Sequence, residues 1–125
     1  PNPPPPQRPL MTTIQKLIAA YKLWNDYFDH LPKKLRYTIG SKIDLLFIET
    51  AQLLFTASAL PKEQKLSVIQ KAVINFDLLK FFLQIAWEIK ALENKKYVAI
   101  SEQLSEVGRM IGGWHKQLIS QTPLK

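Results

Sequence analysis

The chain has 125 residues, no Cys and two His that lie far apart, which excludes a disulfide frame, a thiolate nucleophile and a zinc site. Its 17 Lys and Arg outnumber its 10 Asp and Glu, and the resulting net charge of +7 favours polyanionic partners. Polar side chains interrupt the longest apolar runs and no signal peptide is recognisable, so we expect a cytoplasmic protein without a membrane-spanning helix or a membrane partner.

The N-terminal segment is rich in Pro. Residues 1–11 predict an extended polyproline arm, and residues 12–122 are then the folded domain. The first predicted helix runs from Thr13 to Leu31, with Thr12 or Thr13 as its N-cap. Its apolar residues recur at spacings of three and four, as on a helix packed in a bundle: Ile14, Leu17, Tyr21, Trp24, Phe28 and Leu31.

A second helix is predicted from Pro32 to Ala59, with Pro at the favoured first position. Gly40 interrupts it and indicates close contact with a neighbouring helix. Its opening turns carry four cations, Lys33, Lys34, Arg36 and Lys42. Cations oppose the helix dipole at this end, so the pattern favours an anionic partner.

The third predicted helix runs from Lys62 to Glu93 and has two apolar stripes. One stripe contains Ala72, Phe76, Leu79, Leu83 and Ala86, and the other contains Ile74, Leu78, Phe81, Ile85, Ile89 and Leu92. A narrow polar stripe, Asp77, Lys80, Gln84 and Glu88, separates them. Because a helix of a small bundle needs one apolar face, the second stripe predicts contact with another subunit.

Asn94 to Lys96 break the pattern, and Ser101 is a candidate N-cap for a fourth helix that ends near Ser120. Four amphipathic helices with short links predict an all-α, antiparallel up-down-up-down four-helix bundle that assembles as a homo-oligomer. The side chains predicted at packing or subunit contacts are Phe81, Phe82, Ile85, Ile89, Gly108, Gly112 and Trp114. The glycines fit close packing within the chain, and the alternative is a subunit contact.

Catalytic patterns are weak. Arg109 and His115 lie six residues apart, as in some helical ribonucleases of the HEPN class, but they project about 120° apart on a helix. The sequence contains no Glu-x-x-His pair, so it does not predict a ferritin-like metal core. We therefore expect no catalytic, cofactor-binding or metal-binding residue, and keep an Arg109 and His115 ribonuclease as an alternative.

The basic residues predict two patches at opposite ends of the bundle, because antiparallel packing brings the start of each helix beside the end of its neighbour. Lys80 lies between the two patches. The predicted nucleic-acid contacts are Lys33, Lys34, Arg36, Lys42, Lys62, Lys65, Lys71 and Lys80. With few aromatic residues among them, they favour contact with the phosphate backbone over base stacking.

The C-terminal run SEQLSEVGRMIGGWHKQL resembles a family of bacterial four-helix bundle proteins. The family includes the accessory variability determinant (Avd) of diversity-generating retroelements and proteins encoded by intervening sequences of 23S ribosomal RNA genes. The likeness lies in Glu106, Val107, Gly108, Arg109, Gly112 and Trp114, and weaker likenesses lie in LPKKLRYTIGSKI and LLKFFLQIAWEI.

This resemblance implies a homopentameric barrel, favoured over other oligomers, and a non-enzymatic role. It implies binding of RNA or DNA and docking of a reverse transcriptase, with Lys80 as a candidate contact. Gln84 stands where Avd proteins tend to have a second cation. The ribosomal intervening-sequence branch, of unknown role, stays open as the alternative.

Overall fold

The computed structural model describes residues 8–121, and all of its regular structure is helical. Helix α1 spans Arg8–Phe28, α3 spans Lys62–Glu88 and α4 spans Asn94–Gln121. Helix α2 is continuous from residue 33 to residue 59 and has three parts: an α-helical turn Lys33–Leu35, a π-helical turn Arg36–Gly40 and an α-helix Ser41–Ala59. Each helix packs against the next, and α1 also packs against α4. The predicted all-α four-helix bundle is confirmed.

The core forms along the predicted seams. Trp24 and Phe47 are both fully buried, with ring centroids 6.4 Å apart. Tyr21 packs edge-on against Phe47, and its hydroxyl donates to Asp44 Oδ1 at 2.9 Å, which ties α1 to α2. The same burial and hydrogen bond, with the negative charge of Asp44, raise the pKa of Tyr21.

Helix α1 starts earlier than predicted. The expectation of an extended arm through residue 11 is wrong for residues 8–11, which form the first turn of α1. Pro9 is compatible with this turn because the first N–H groups of a helix have no partner within it. Leu10 is fully buried, and its burial extends the core by one turn beyond Thr13. The rest of the predicted arm, residues 1–7, lies outside the described residues.

Gly40 ends the π-helical turn of α2. A Cβ at this position would lie 3.1 Å from the Leu31 side chain and from the Phe28 ring, closer than carbon atoms normally pack. The predicted close contact with a neighbouring helix is therefore confirmed, and the neighbour is the end of α1.

The predicted boundary between the last two helices is wrong at both sides. Helix α3 ends at Glu88, five residues before the predicted end, and α4 begins at Asn94, seven residues before Ser101. Lys90 adopts a left-handed backbone with φ 66°, which lets the N–H groups of Ala91 and Leu92 donate to Ala86 O at 2.9 and 3.1 Å. Helices usually use Gly or Asn for this turn, so the sequence carried no stop signal here.

Helix α3 presents the two predicted apolar stripes, but the prediction is wrong for Leu92, which lies beyond the end of the helix and is buried in the core. Its first stripe, from Ala72 to Ala86, is buried in the core. The second faces outward: Ile74 is 60% exposed and Phe81 53%. Together with three exposed residues of α2, it forms what we call the outer apolar face: Leu45, Ile48, Phe55, Ile74, Leu78 and Phe81. Of the other predicted contact residues, Ile89 is exposed, while Phe82 and Ile85 are half-buried.

Candidate nucleic-acid interface

The topology gives the bundle two ends that differ in their turns. We call the end with the α1–α2 and α3–α4 turns the double-turn end, and the end with the α2–α3 turn the single-turn end. Lys33 and Lys34 are exposed in the first turn of α2, at the double-turn end. Lys62 is exposed at the start of α3, at the single-turn end, and Lys71 is exposed farther along that helix. Lys33, Lys34 and Lys62 lie at the ends where the sequence predicted basic patches, whereas Lys71 lies nine residues beyond Lys62 along the side of α3.

Arg36 is not free to bind a ligand in the predicted way. Its Nε donates to Leu31 O at 3.2 Å and its Nη2 to Asp29 O at 2.7 Å. Both acceptors follow the last turn of α1, where carbonyl groups lack helical partners and the dipole favours a cation. Arg36 therefore caps the C-terminus of α1.

The prediction that Lys65 contacts phosphate is wrong for this fold. Its side chain is buried, with the residue only 7% exposed, and Nζ donates to Ala57 O in the last turn of α2. Burial also lowers the pKa of this lysine, because desolvation disfavours its charged form. Lys65 thus caps the C-terminus of α2, and the basic patch predicted at the single-turn end loses one of its members.

Lys42 and Lys80 lie along the sides of the bundle. Lys42 Nζ sits 5.9 Å from the Phe82 ring centroid, across the α2–α3 contact. Lys80 Nζ sits 5.2 Å from the Phe76 ring centroid and 3.8 Å from Asp77 Oδ1. Both cations keep access to solvent.

Lys80 lies at the edge of a groove between α3 and α4. The groove consists of two adjoining cavities of about 480 and 380 Å³, and Asp77, Lys80 and Ser105 line both. The larger cavity continues past Gln84 and Tyr97, and the smaller past Arg109, Gly112 and His115. Cations, hydroxyl groups, an amide and the Asp77 carboxylate therefore line the two cavities together with apolar side chains.

Arg109 and His115 line the same cavity despite their separation on the helix. They lie three residues to either side of Gly112, so each projects about 60° from its direction and they flank the groove. Arg109 Nη2 lies 3.9 Å from Glu106 Oε1, and His115 Nε2 is buried without a hydrogen-bond partner. Sequence reasoning had weighed these two side chains as a pair only for catalysis.

The glycines of α4 play different parts. A Cβ at Gly108 would lie 3.0 Å from the Phe76 ring, so close packing within the chain is confirmed there. A Cβ at Gly112 or Gly113 would meet nothing within 4 Å, so the chain itself does not require glycine at either position. Trp114 is half-buried and packs on the core.

Sequence reasoning missed three lysines at the double-turn end. Lys90 had been assigned to the third helix, and Lys95 and Lys96 to the break after it, but the three occupy the α3–α4 turn and the first turn of α4. Lys96 Nζ lies 5.4 Å from the Tyr27 ring centroid. Had the end of α3 and the start of α4 been predicted correctly, these three lysines would have been placed at the same end of the bundle as the start of α2.

The described residues contain neither a candidate membrane span nor a candidate metal site. Between residues 8 and 121, no helix is long and apolar enough to cross a membrane. Within the same range, no group of His, Cys, Asp and Glu side chains is arranged to hold a metal ion.

Comparison with known proteins supports the resemblance seen in the sequence. A family model described as bAvd-like matches residues 10–118, which cover all four helices. No curated protein and no solved structure gives a significant match.

Proposed function

Because the chain belongs to the bAvd-like family, we propose that it is a non-enzymatic accessory protein of a diversity-generating retroelement. In this role it binds the phosphate backbone of RNA or DNA and docks a reverse transcriptase. The observation that carries the proposal is the cluster of lysines at the double-turn end, on a chain with a net charge of +7.

The charge of the double-turn end supports backbone binding. Five lysines lie there, four of them exposed: Lys33, Lys34, Lys90, Lys95 and Lys96. Asp29, Glu88 and Glu93 lie at the same end, so the excess charge is moderate. Lysines at helix starts form a patch that attracts a polyanion through counterion release and carries little sequence information.

The outer apolar face supports assembly with further copies of the chain. Apolar residues at helical spacing on two adjacent helices remain exposed in the single chain, although such a surface is normally buried. A ring of subunits packed through α2 and α3 would bury it, and the family resemblance favours a pentamer. Each added subunit would also multiply the positive charge that faces a nucleic acid.

Docking of the reverse transcriptase follows from family membership and has the larger cavity of the α3–α4 groove, beside Lys80 and Gln84, as its candidate surface. Lys80 stands in this groove as its cation on α3, and Gln84 donates to Glu88 Oε2 at 2.9 Å one turn later. A co-purification of the two proteins, with and without Lys80→Glu, tests docking. Loss of the polymerase from the variant is expected, and an unchanged yield would place docking on another surface.

Backbone binding is tested with a Lys33→Gln, Lys34→Gln variant and a matched Lys62→Gln, Lys71→Gln control on the half of α3 nearer the single-turn end. Affinity for a 30-nucleotide RNA is measured by fluorescence anisotropy over a range of salt concentrations. We expect the slope of log affinity against log salt to fall by about 0.7 for each phosphate contact removed from this single strand, and to fall more in the first variant.

Two results would count against this assignment. Absence of RNA and DNA binding by the wild type at low salt would refute nucleic-acid binding altogether. An equal loss of slope in both variants would refute the preference for the double-turn end.

A further inference from the structure

We propose that the α3–α4 groove holds a single phosphodiester group of the bound strand at Gly112, between Arg109, Lys80 and His115. This inference rests on the proposed nucleic-acid binding and adds a specific site to it. It concerns the smaller cavity of the groove, of about 380 Å³, which Lys80, Arg109, Gly112 and His115 line together.

Gly112 gives the site its floor. It has no side chain, and a Cβ built there would meet nothing within 4 Å, so the space above the α4 backbone is open. Arg109 and His115 stand on either side of this opening, and Lys80 faces it from α3. A phosphate group above Gly112 would have a cation on two sides and an imidazole on the third.

His115 carries the second observation. Its Nε2 is buried and has no hydrogen-bond partner, which is exceptional for a buried polar atom. No solvent reaches this nitrogen, so the ring donates to an oxygen atom in the cavity only after it rotates, in the tautomer that carries its proton on Nε2. A phosphate oxygen supplies that acceptor.

The present partners of the two cations do not prevent binding. Lys80 and Arg109 each make one ion pair, at 3.8 Å with Asp77 and at 3.9 Å with Glu106. Exposed pairs at such distances contribute little, so both cations can turn to a ligand. The guanidinium group of Arg109 can bind two phosphate oxygens at once, which a surface lysine cannot do.

The remaining charges limit the kind of anion. Asp77 also lines the cavity, and Glu106 is shared between Arg109 and Lys16, whose Nζ is 3.5 Å from Glu106 Oε2. These carboxylates repel a doubly charged phosphate more strongly than a singly charged one. Because each cation has a carboxylate beside it, the site has little net positive charge to attract the second negative charge of free phosphate, and it suits the singly charged phosphodiester of a strand.

The test compares Gly112→Leu with Gly113→Leu. Both replace a helical glycine by a strong helix former in open space, but only Gly112 lines the cavity. The probe is a tetranucleotide, rU4, which is titrated into the protein to obtain its affinity. The NMR signals of the His115 ring are followed during the titration. We expect rU4 to shift the His115 signals, Gly112→Leu to weaken rU4 binding at least tenfold, and Gly113→Leu to change it less than twofold.

Further measurements separate the possible failures. Unchanged rU4 binding by Gly112→Leu, or unchanged His115 signals, overturns the site while a 30-nucleotide RNA still binds through the end lysines. If the long RNA does not bind either, the proposed function itself fails. Inorganic phosphate that binds as tightly as rU4 overturns the preference for a phosphodiester.

Two other outcomes would assign the groove differently. If a hexaglutamate peptide binds as tightly as rU4 and is lost in Gly112→Leu, the groove is a protein-docking site and the phosphate assignment is wrong. Cleavage of rU4 that is lost in His115→Ala overturns a role restricted to binding.

Discussion

The starts of α2 and α3 look alike in sequence. Their cations suggest an anionic ligand at both, but at each start one of the cations has a structural role instead. Each begins after a Pro, Pro32 or Pro61, and each carries cations in its opening turns. In each, one cation turns back and caps the preceding helix, Arg36 at the end of α1 and Lys65 at the end of α2. Short turns make this possible, because they place the start of one helix beside the unsatisfied carbonyl groups of the last.

The two capping cations differ in burial, and both differ from the exposed lysines beside them. The caps hold the fold together, whereas the exposed lysines are available to a ligand. Lys65 is buried, whereas Arg36 keeps part of its side chain in solvent. Their neighbours Lys33, Lys34 and Lys62 point outward. A cation at a helix start is thus evidence for an anionic ligand only after the end of the previous helix has been considered.

The largest expected effect is on Lys65. Lys65→Met keeps the length and apolar stem of the side chain but removes its hydrogen bond to the carbonyl of Ala57, which keeps only the donor N–H of Leu60 at 3.2 Å. We expect the free energy of unfolding to fall by about 1–3 kcal/mol, as for a buried hydrogen bond that loses one partner. Chemical denaturation measures the change.

Lys62→Met is the matched control, because Lys62 is exposed on the same turn of α3. We expect it to change stability by less than about 0.5 kcal/mol. Equal stability of the two variants would show that the contact with Ala57 O contributes nothing.

A smaller effect is expected at Arg36. Arg36→Gln removes two charge-assisted hydrogen bonds to carbonyl groups that lie partly in solvent, so we expect a loss of about 1 kcal/mol. Its RNA affinity should match that of the wild type, whereas Lys34→Gln should lower RNA affinity and leave stability unchanged. If Arg36→Gln instead lowers RNA affinity and leaves stability unchanged, Arg36 is a ligand contact and not a cap.

The sequence alone predicted the fold because the apolar residues of α1 and of the two stripes of α3 repeat at helical spacing. It did not predict the end of α3, since Lys90 takes a left-handed backbone without the glycine that normally marks it. It did not predict the inward turn of Lys65 either, because composition does not reveal where a flexible side chain finds an acceptor. The groove depends on Arg109 and His115 facing α3, which only the packing of the two helices determines.

The smallest expected effect is in the alkaline dependence of stability. Burial lowers the pKa of Lys65, so between that value and the ordinary 10.5 the unfolded chain binds more protons and stability rises with pH. Burial and Asp44 raise the pKa of Tyr21, so above 10.0 the unfolded chain releases its proton first and stability falls. The two contributions to the pH dependence of stability have opposite signs. Lys65→Met tests the first, and Tyr21→Phe tests the second.

Unfolding free energies measured from about pH 8 to about pH 11 separate these contributions. Lys65→Met should remove the rise and leave the fall. Tyr21→Phe should make the fall smaller and leave the rise, because burial and Asp26 also raise the pKa of Tyr27 and this tyrosine still contributes to the fall. Arg36→Gln serves as the control, because a guanidinium stays charged throughout this range and its variant should follow the wild-type slope. A Lys65→Met slope equal to that of the wild type would mean that this lysine is as well solvated in the folded bundle as in the unfolded chain, and the distinction between the two caps would disappear.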